Sequence, residues 1–102
     1  EAQAVAELLG LNLKVRRESV VCVGGFWQPG YSRPNAGMVE AVQMLARLEA
    51  ILLDPVYTGK VMAGLIGMAR AGALKADTKV LFIHTGGMPA LYAYEGVVLG
   101  EA

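Results

Sequence analysis

Apolar and polar positions fall in blocks along this chain, and the blocks predict alternating strands and helices. Glu1 to Leu9 has helical spacing and stops at Gly10, where a positive φ is cheap. Leu11 to Val15 alternates apolar with polar residues and reads as a short strand. Ser19 to Val23 is apolar and β-branched, and Gly24-Gly25 closes it as a second strand. Phe26 to Asn35 holds three aromatics, two prolines and a glycine, which makes it a shaped loop. Asn35 stands where an N-cap belongs, ahead of a helix through about Glu49 with Met38, Val39, Val42, Leu45, Ala46 and Leu48 at helical spacing.

Ala50 to Leu53 is short and wholly apolar, the pattern of a strand inside a parallel sheet. The turn Asp54-Pro55-Val56-Tyr57 then leads into a helix capped by Thr58 or by Tyr57 before it and running to about Ala71. Gly64 and Gly67 lie inside that helix, each costing about 1 kcal/mol against Ala, so close packing against a sheet is expected there. Gly72 ends the helix, Asp77-Thr78 turns, and Lys79 to His84 is another buried strand. Gly86-Gly87 turns again, and Met88 to Tyr94 begins a helix with Pro89 in its first turn. The last eight residues, through Ala102, are weakly patterned.

Strand, helix and strand over 51–84 make a βαβ unit, and such crossovers are right-handed and parallel. The expected fold class is α/β, an open, mostly parallel twisted sheet with flanking helices, as a single piece over 1–102. Both polar turns then open at the carboxyl edge of the sheet, where such folds hold ligands. Tyr57 and Thr58 would stand beside His84, Thr85 and Gly86, with two helix N-termini aiming backbone N–H groups at the same place. That suits an anionic or polar ring-bearing ligand.

Composition changes the picture in one respect. Apolar residues are 55 % of the 102 and charged residues 18 %, against about 25 % charged in a typical soluble domain. Small domains need more polar surface, not less, so part of this apolar surface is expected to be covered by missing chain or a partner. The helical start at Glu1, without an initiator Met, points the same way, to a fragment or cleaved product; the alternative is a natural short protein with trimmed ends. Nine basic and nine acidic residues balance, and the cluster of Lys14, Arg16 and Arg17 is too small for a nucleic-acid footprint. Cys22 is alone, so no disulfide forms within the chain and a reducing, cytoplasmic compartment fits. No apolar run reaches the ~18 residues of a membrane span, and no signal peptide is visible.

The chemistry-bearing residues divide by what they can do. Thr58-Gly59-Lys60 echoes the end of a phosphate-binding P-loop, but Asp54 stands where Gly is needed and Val61 where Ser or Thr is needed, which rejects it. His84 at a strand end reads as a satisfied structural histidine before it reads as a base. With one His and one Cys there is no basis for a His/Cys metal site. Tyr31 and Tyr57 are equally well read as acid/base phenols or as amphipathic packing. Tyr92 and Tyr94 read as packing, and Cys22 as a buried small hydrophobe.

Three stretches together carry a resemblance. Pro29-Gly30-Tyr31-Ser32-Arg33-Pro34-Asn35, Leu53 through Lys60, and Phe82 through Leu91 closely resemble the carboxyl-terminal third of the D-cysteine desulfhydrase and 1-aminocyclopropane-1-carboxylate deaminase family. These are pyridoxal-phosphate enzymes of the tryptophan-synthase-β fold type, and the resemblance implies part of a fold type II large domain. It implies that Tyr31 and Tyr57 face the substrate as catalytic residues. It also implies that Thr58, Thr85 and Gly86 border the cofactor, Thr85 near the pyridine nitrogen. Members that deaminate the cyclopropane substrate tend to carry Glu directly after the turn tyrosine. Thr58 stands there in this chain, which tilts the implied reaction towards β-elimination from D-cysteine, with release of sulfide, ammonia and pyruvate. The family's Schiff-base lysine and phosphate loop have no counterpart in these 102 residues, Lys60 does not match that lysine, and Ser32 replaces a glycine common in the Pro-Gly-Tyr loop. The resemblance therefore implies a catalytic parent, an inactive isolated chain, a small amino-acid substrate, and either a full-length homodimer or association with the missing amino-terminal part; the alternatives are a 1-aminocyclopropane-1-carboxylate deaminase and a non-catalytic α/β binding module. It implies no nucleic-acid or membrane partner.

Overall fold

A computed structural model describes residues 1–100. Its regular elements are helical: α1 (Ala2–Leu8), α2 (Ala36–Glu49), α3 (Thr58–Arg70) and α4 (Glu95–Leu99), with 3₁₀ turns at Arg17–Ser19 and Met88–Tyr94. The weakly patterned tail is described through Gly100, and positions 101–102 lie outside the described residues.

The helices begin and end for local reasons. The Asn35 side chain accepts the N–H of Met38 at 2.8 Å, which caps α2. Ala50 turns left-handed at φ 55° to end it, and Gly10 and Gly72 adopt positive φ after α1 and α3. α2 and α3 pack together around Met38, Val42 and Leu53, with Val39, Leu45, Met62, Phe82, Leu91 and Val98 around them. Arg70 on α3 donates two hydrogen bonds to the carboxylate of Glu40 on α2, at 3.0 and 2.6 Å. Gln43 of α2 donates to the carbonyl of Val98 in α4 at 2.6 Å. α1 folds back on residues 11–15 through Gln3, whose side chain accepts from Val15 N–H at 2.7 Å.

The expected α/β fold is overturned: among the described residues there is no strand. Residues 11–15, 19–23, 50–53 and 79–84 run without a ladder, and no backbone hydrogen bond of the described residues joins 50–53 to 79–84. The apolar runs are real but largely uncovered. Leu81 is 85 % exposed, Val21 77 % and Ile83 66 %. A continuous apolar run signals burial on two faces, but a strand also needs hydrogen-bonding neighbours, and the helices here supply none. The accessible surface of 7837 Å² compares with about 5,500 Å² expected for a compact protein of this mass. The radius of gyration of 16.1 Å likewise exceeds the ~13 Å of a compact 100-residue domain.

The two interior glycines of α3 are explained by a different partner from the sheet expected. A Cβ on Gly67 would stand 2.6 Å from Phe26 Cε1, and one on Gly64 would stand 3.4 Å from Phe26 Cδ2. The Phe26 ring lies along the helix where side chains are missing.

Candidate active-site wall

The site is built on the turn between Leu53 and α3. Asp54 is 2 % exposed, and its carboxylate accepts the N–H groups of Val56, Tyr57 and Thr58 at 2.7–2.8 Å. Thr58 Oγ1 donates to the same carboxylate at 2.6 Å and accepts the Asp54 N–H at 2.8 Å. This side chain satisfies the N–H groups that a helix start leaves without partners, so the cap of α3 comes from Asp54, not from Thr58 or Tyr57. Burial pushes the Asp54 carboxyl up, but the hydrogen bonds from the Thr58 hydroxyl and from the Thr58, Tyr57 and Val56 amides outweigh it. The net shift is below the ordinary value of 3.8. Gly59 completes the turn, because a Cβ there would lie 2.7 Å from the Asp54 carbonyl oxygen.

The turn presents Tyr57 outwards, 58 % exposed, to meet Tyr31 from the Pro-Gly-Tyr loop. Tyr57 Oη donates to Tyr31 Oη at 3.0 Å, with ring centroids 6.0 Å apart and planes tilted by 58°. The hydrogen bond to Tyr31 holds the Tyr57 phenol above its ordinary value of 10.0, helped by the electrostatics of the Tyr31 and Asp54 side chains and by partial desolvation. Tyr57 therefore keeps its proton at neutral pH, directed at Tyr31.

The loop carrying Tyr31 is held by its carbonyls. Asn35 Nδ2 donates to those of Phe26 and Gln28. Lys60 Nζ, on a side chain 7 % exposed, donates to those of Trp27 and Gly30, both at 2.8 Å. Ser32 has φ 60°, in the left-handed region, which accounts for the glycine common at this position in the resembled loop. Tyr94 clasps Ser32: its hydroxyl donates to the Ser32 carbonyl at 2.6 Å and accepts from the Ser32 hydroxyl at 2.6 Å. Tyr94 thus does more than pack.

The second polar turn lies beside the first. His84 Nε2 is 2.8 Å from the Leu52 carbonyl, and its Nδ1 accepts the Gly86 N–H at 3.0 Å, so both ring nitrogens have partners and the proton sits on Nε2. Gly87, at φ 88°, abuts Asp54 so closely that a Cβ would stand 2.9 Å from the Asp54 Cβ. The adjacency expected of two parallel strands is thus reached by side-chain and glycine contacts. Thr85 is exposed next to Gly86, whereas Thr58 is 2 % exposed with its hydroxyl proton directed at Asp54. Cys22 is exposed, not buried.

Sequence reasoning missed Asp54 and Lys60 as organisers of this wall. The signal for Asp54 was present: an Asp opening an Asp-Pro turn four residues before a helix is a familiar side-chain-to-backbone turn. Lys60 left no such signal, because its partners lie about thirty residues away. The tyrosine pair is open: neither Tyr31 nor Tyr57 lines the clefts of about 370, 420 and 430 Å³, the first of which borders Gln28 and Asn35 and the second Trp27 and Lys60. Among the described residues no helix is long and apolar enough to cross a membrane.

No family model matches the chain. It is 49 % identical over 92 residues to a D-cysteine desulfhydrase of Klebsiella pneumoniae, a match covering 90 % of this chain and 27 % of the relative. It superposes on a crystal structure of an ACC deaminase homologue with a TM-score of 0.71 and 36 % identity, over 93 % of this chain and 27 % of the other. The chain thus spans about a quarter of the length of the proteins it matches. Over nearly all of its own length, it is homologous to the D-cysteine desulfhydrase and ACC deaminase family.

Proposed function

We propose that this chain forms one wall of the active site of a pyridoxal-phosphate-dependent lyase that acts on D-cysteine. The observation that carries the reading is the Tyr57–Tyr31 hydroxyl pair at 3.0 Å, on a wall whose sequence is 49 % identical to a D-cysteine desulfhydrase. Tyr57, protonated at neutral pH, donates its O–H to Tyr31 in this structure and turns it to a substrate group when one faces the wall. Tyr31 accepts from Tyr57 and keeps that phenol oriented. Thr85 and Gly86 border the cofactor, and Thr58 acts from inside the turn through Asp54.

These residues do not make a complete site for the cofactor. Lys60 is buried and spends its ammonium on two backbone carbonyls, so it is not free for covalent attachment, and the rest of the chain brings no Gly/Ser/Thr-rich phosphate loop. We therefore assign no turnover to the 102 residues alone. The reading requires the polypeptide that supplies the lysine and the phosphate site, as a longer chain that dimerises or as a separate amino-terminal half. The isolated chain mixed with pyridoxal phosphate is expected to give no protein-bound absorbance band.

The test is sulfide and pyruvate release from D-cysteine by the full-length enzyme containing this segment, with and without Tyr57→Phe. A loss of at least ten-fold in kcat/KM is expected; unchanged turnover would remove Tyr57 from the chemistry. A second reading, deamination of the cyclopropane amino acid, is favoured by the match to an ACC deaminase homologue. Faster turnover of that substrate than of D-cysteine by the same enzyme would favour it.

A further inference from the structure

Lys60 breaks two rules of local electrostatics. It sits in the first turn of α3, where the helix dipole disfavours a cation. It is also buried, 7 % exposed, and neither ion pair of the described residues includes it. Buried charges are normally paired. A residue that breaks local rules needs a compensating role elsewhere.

That role is visible in what the ammonium touches. It donates to the carbonyls of Trp27 and Gly30, 33 and 30 residues away in sequence, both at 2.8 Å. Asn35 holds the alternate carbonyls, Phe26 and Gln28. Four carbonyls of the loop thus converge on two side chains, and Tyr31 follows directly on the last of them. Lys60 also lies three residues beyond Tyr57, on the helix that the Asp54 turn begins. One short stretch therefore controls both tyrosines: Asp54 sets the turn of Tyr57, and Lys60 sets the loop of Tyr31.

We infer that Lys60 is a positioning residue, whose ammonium holds the Pro-Gly-Tyr loop so that the Tyr31 hydroxyl meets that of Tyr57. The meaning of this for catalysis rests on the proposed role of the tyrosine pair; the geometry and its test do not.

The test follows the Tyr57 phenol in the chain labelled with ¹³C at tyrosine Cζ, titrated by NMR. In the unaltered chain Tyr57 titrates above the ordinary phenol value, because Tyr31 accepts its hydrogen bond. In Lys60→Met the Tyr57 midpoint is expected to fall to that of Tyr31→Phe. Electrostatics alone would move it the other way, since removing a nearby cation disfavours the phenolate. In a Tyr31→Phe background Lys60→Met should add no further shift, and Lys60→Arg, which keeps a cation with several donors, should stay nearer the unaltered chain. A midpoint that is unchanged or raised in Lys60→Met overturns the inference, as does a full shift persisting without the Tyr31 hydroxyl. If Lys60→Met loses helical circular dichroism, Lys60→Gln is titrated in its place. Loss of the helices in both variants would make Lys60 a residue of the fold at large and overturn the inference too. The proposed reaction fails on a separate result, unchanged turnover in Tyr57→Phe, which leaves these titrations as they are.

Discussion

Replacing Asp54 by Ala is expected to be among the most damaging single changes in the chain. The carboxylate accepts three backbone N–H groups and the Thr58 hydroxyl. Removing it leaves those donors without their acceptor at a position 2 % exposed. A lost helix cap alone costs about 1 kcal/mol, and each buried donor left unsatisfied costs about 1–3 kcal/mol. Tyr57 is exposed, so water can reach part of the turn, and the sum settles at about 3 kcal/mol. For a domain of this size that lowers the melting temperature by roughly 12–24 °C, read by circular dichroism at 222 nm. The pH dependence supplies the sharper signature. The folded-state pKa of Asp54 lies below its ordinary value of 3.8. The unfolded chain therefore binds the proton first as pH falls. The contribution of Asp54 is complete above about pH 4 to 5 and is lost as pH falls through the lowered folded pKa. Asp54→Asn should remove that part of the acid sensitivity while costing less at neutral pH than Ala, because one acceptor oxygen remains. A melting temperature for Asp54→Ala within 2 °C of the unaltered chain, or an unchanged acid limb in Asp54→Asn, would refute the reasoning.

Three further substitutions probe other parts of the same argument. Gly67→Ala places a Cβ 2.6 Å from the Phe26 ring; it should destabilise by about 1–3 kcal/mol through overpacking, and Phe26→Leu in the same chain should recover part of that in urea denaturation. Met38→Ala empties a fully buried core position and should cost about 2–5 kcal/mol, seen as a lower urea midpoint. At Ser32, φ 60° penalises any Cβ while the clasp with Tyr94 rewards the hydroxyl. Both Ser32→Ala and Ser32→Gly lose the hydroxyl, so Ser32→Ala should melt lower than Ser32→Gly, and the reverse order would show that the backbone angle does not govern this position.

Much of the site could be read along the chain because its determinants are local. The Asn35 cap, the glycine stops after α1 and α3, and the helical stretch from Thr58 each depend on residues within one turn of one another. The tyrosines of the Pro-Gly-Tyr loop and the Asp-Pro turn stood out by motif, and the structure brings their hydroxyls together. Thr58 fared differently. A threonine at a helix start reads as a cap or a ligand, whereas its hydroxyl is committed to Asp54 four residues back. Lys60 was legible only as a residue that failed to match the lysine of the family.

What the sequence by itself determined is therefore α1, α2 and α3, the stops that follow them, and the residue types on the candidate wall. Those follow from periodicity, capping and positive φ, all short-range. α4 fell in the tail read as weakly patterned, and the helix expected from Met88 is a 3₁₀ turn. What only the tertiary structure decided is the fate of the apolar runs at 19–23, 50–53 and 79–84, and the holding of Tyr31 against Tyr57. An apolar run states that burial is favourable without naming what buries it, so it cannot supply a strand with hydrogen-bonding neighbours. The two hydroxyls meet because Lys60 reaches across about thirty residues to the loop carbonyls. A contact at that separation is set by packing and leaves no periodic trace in the chain.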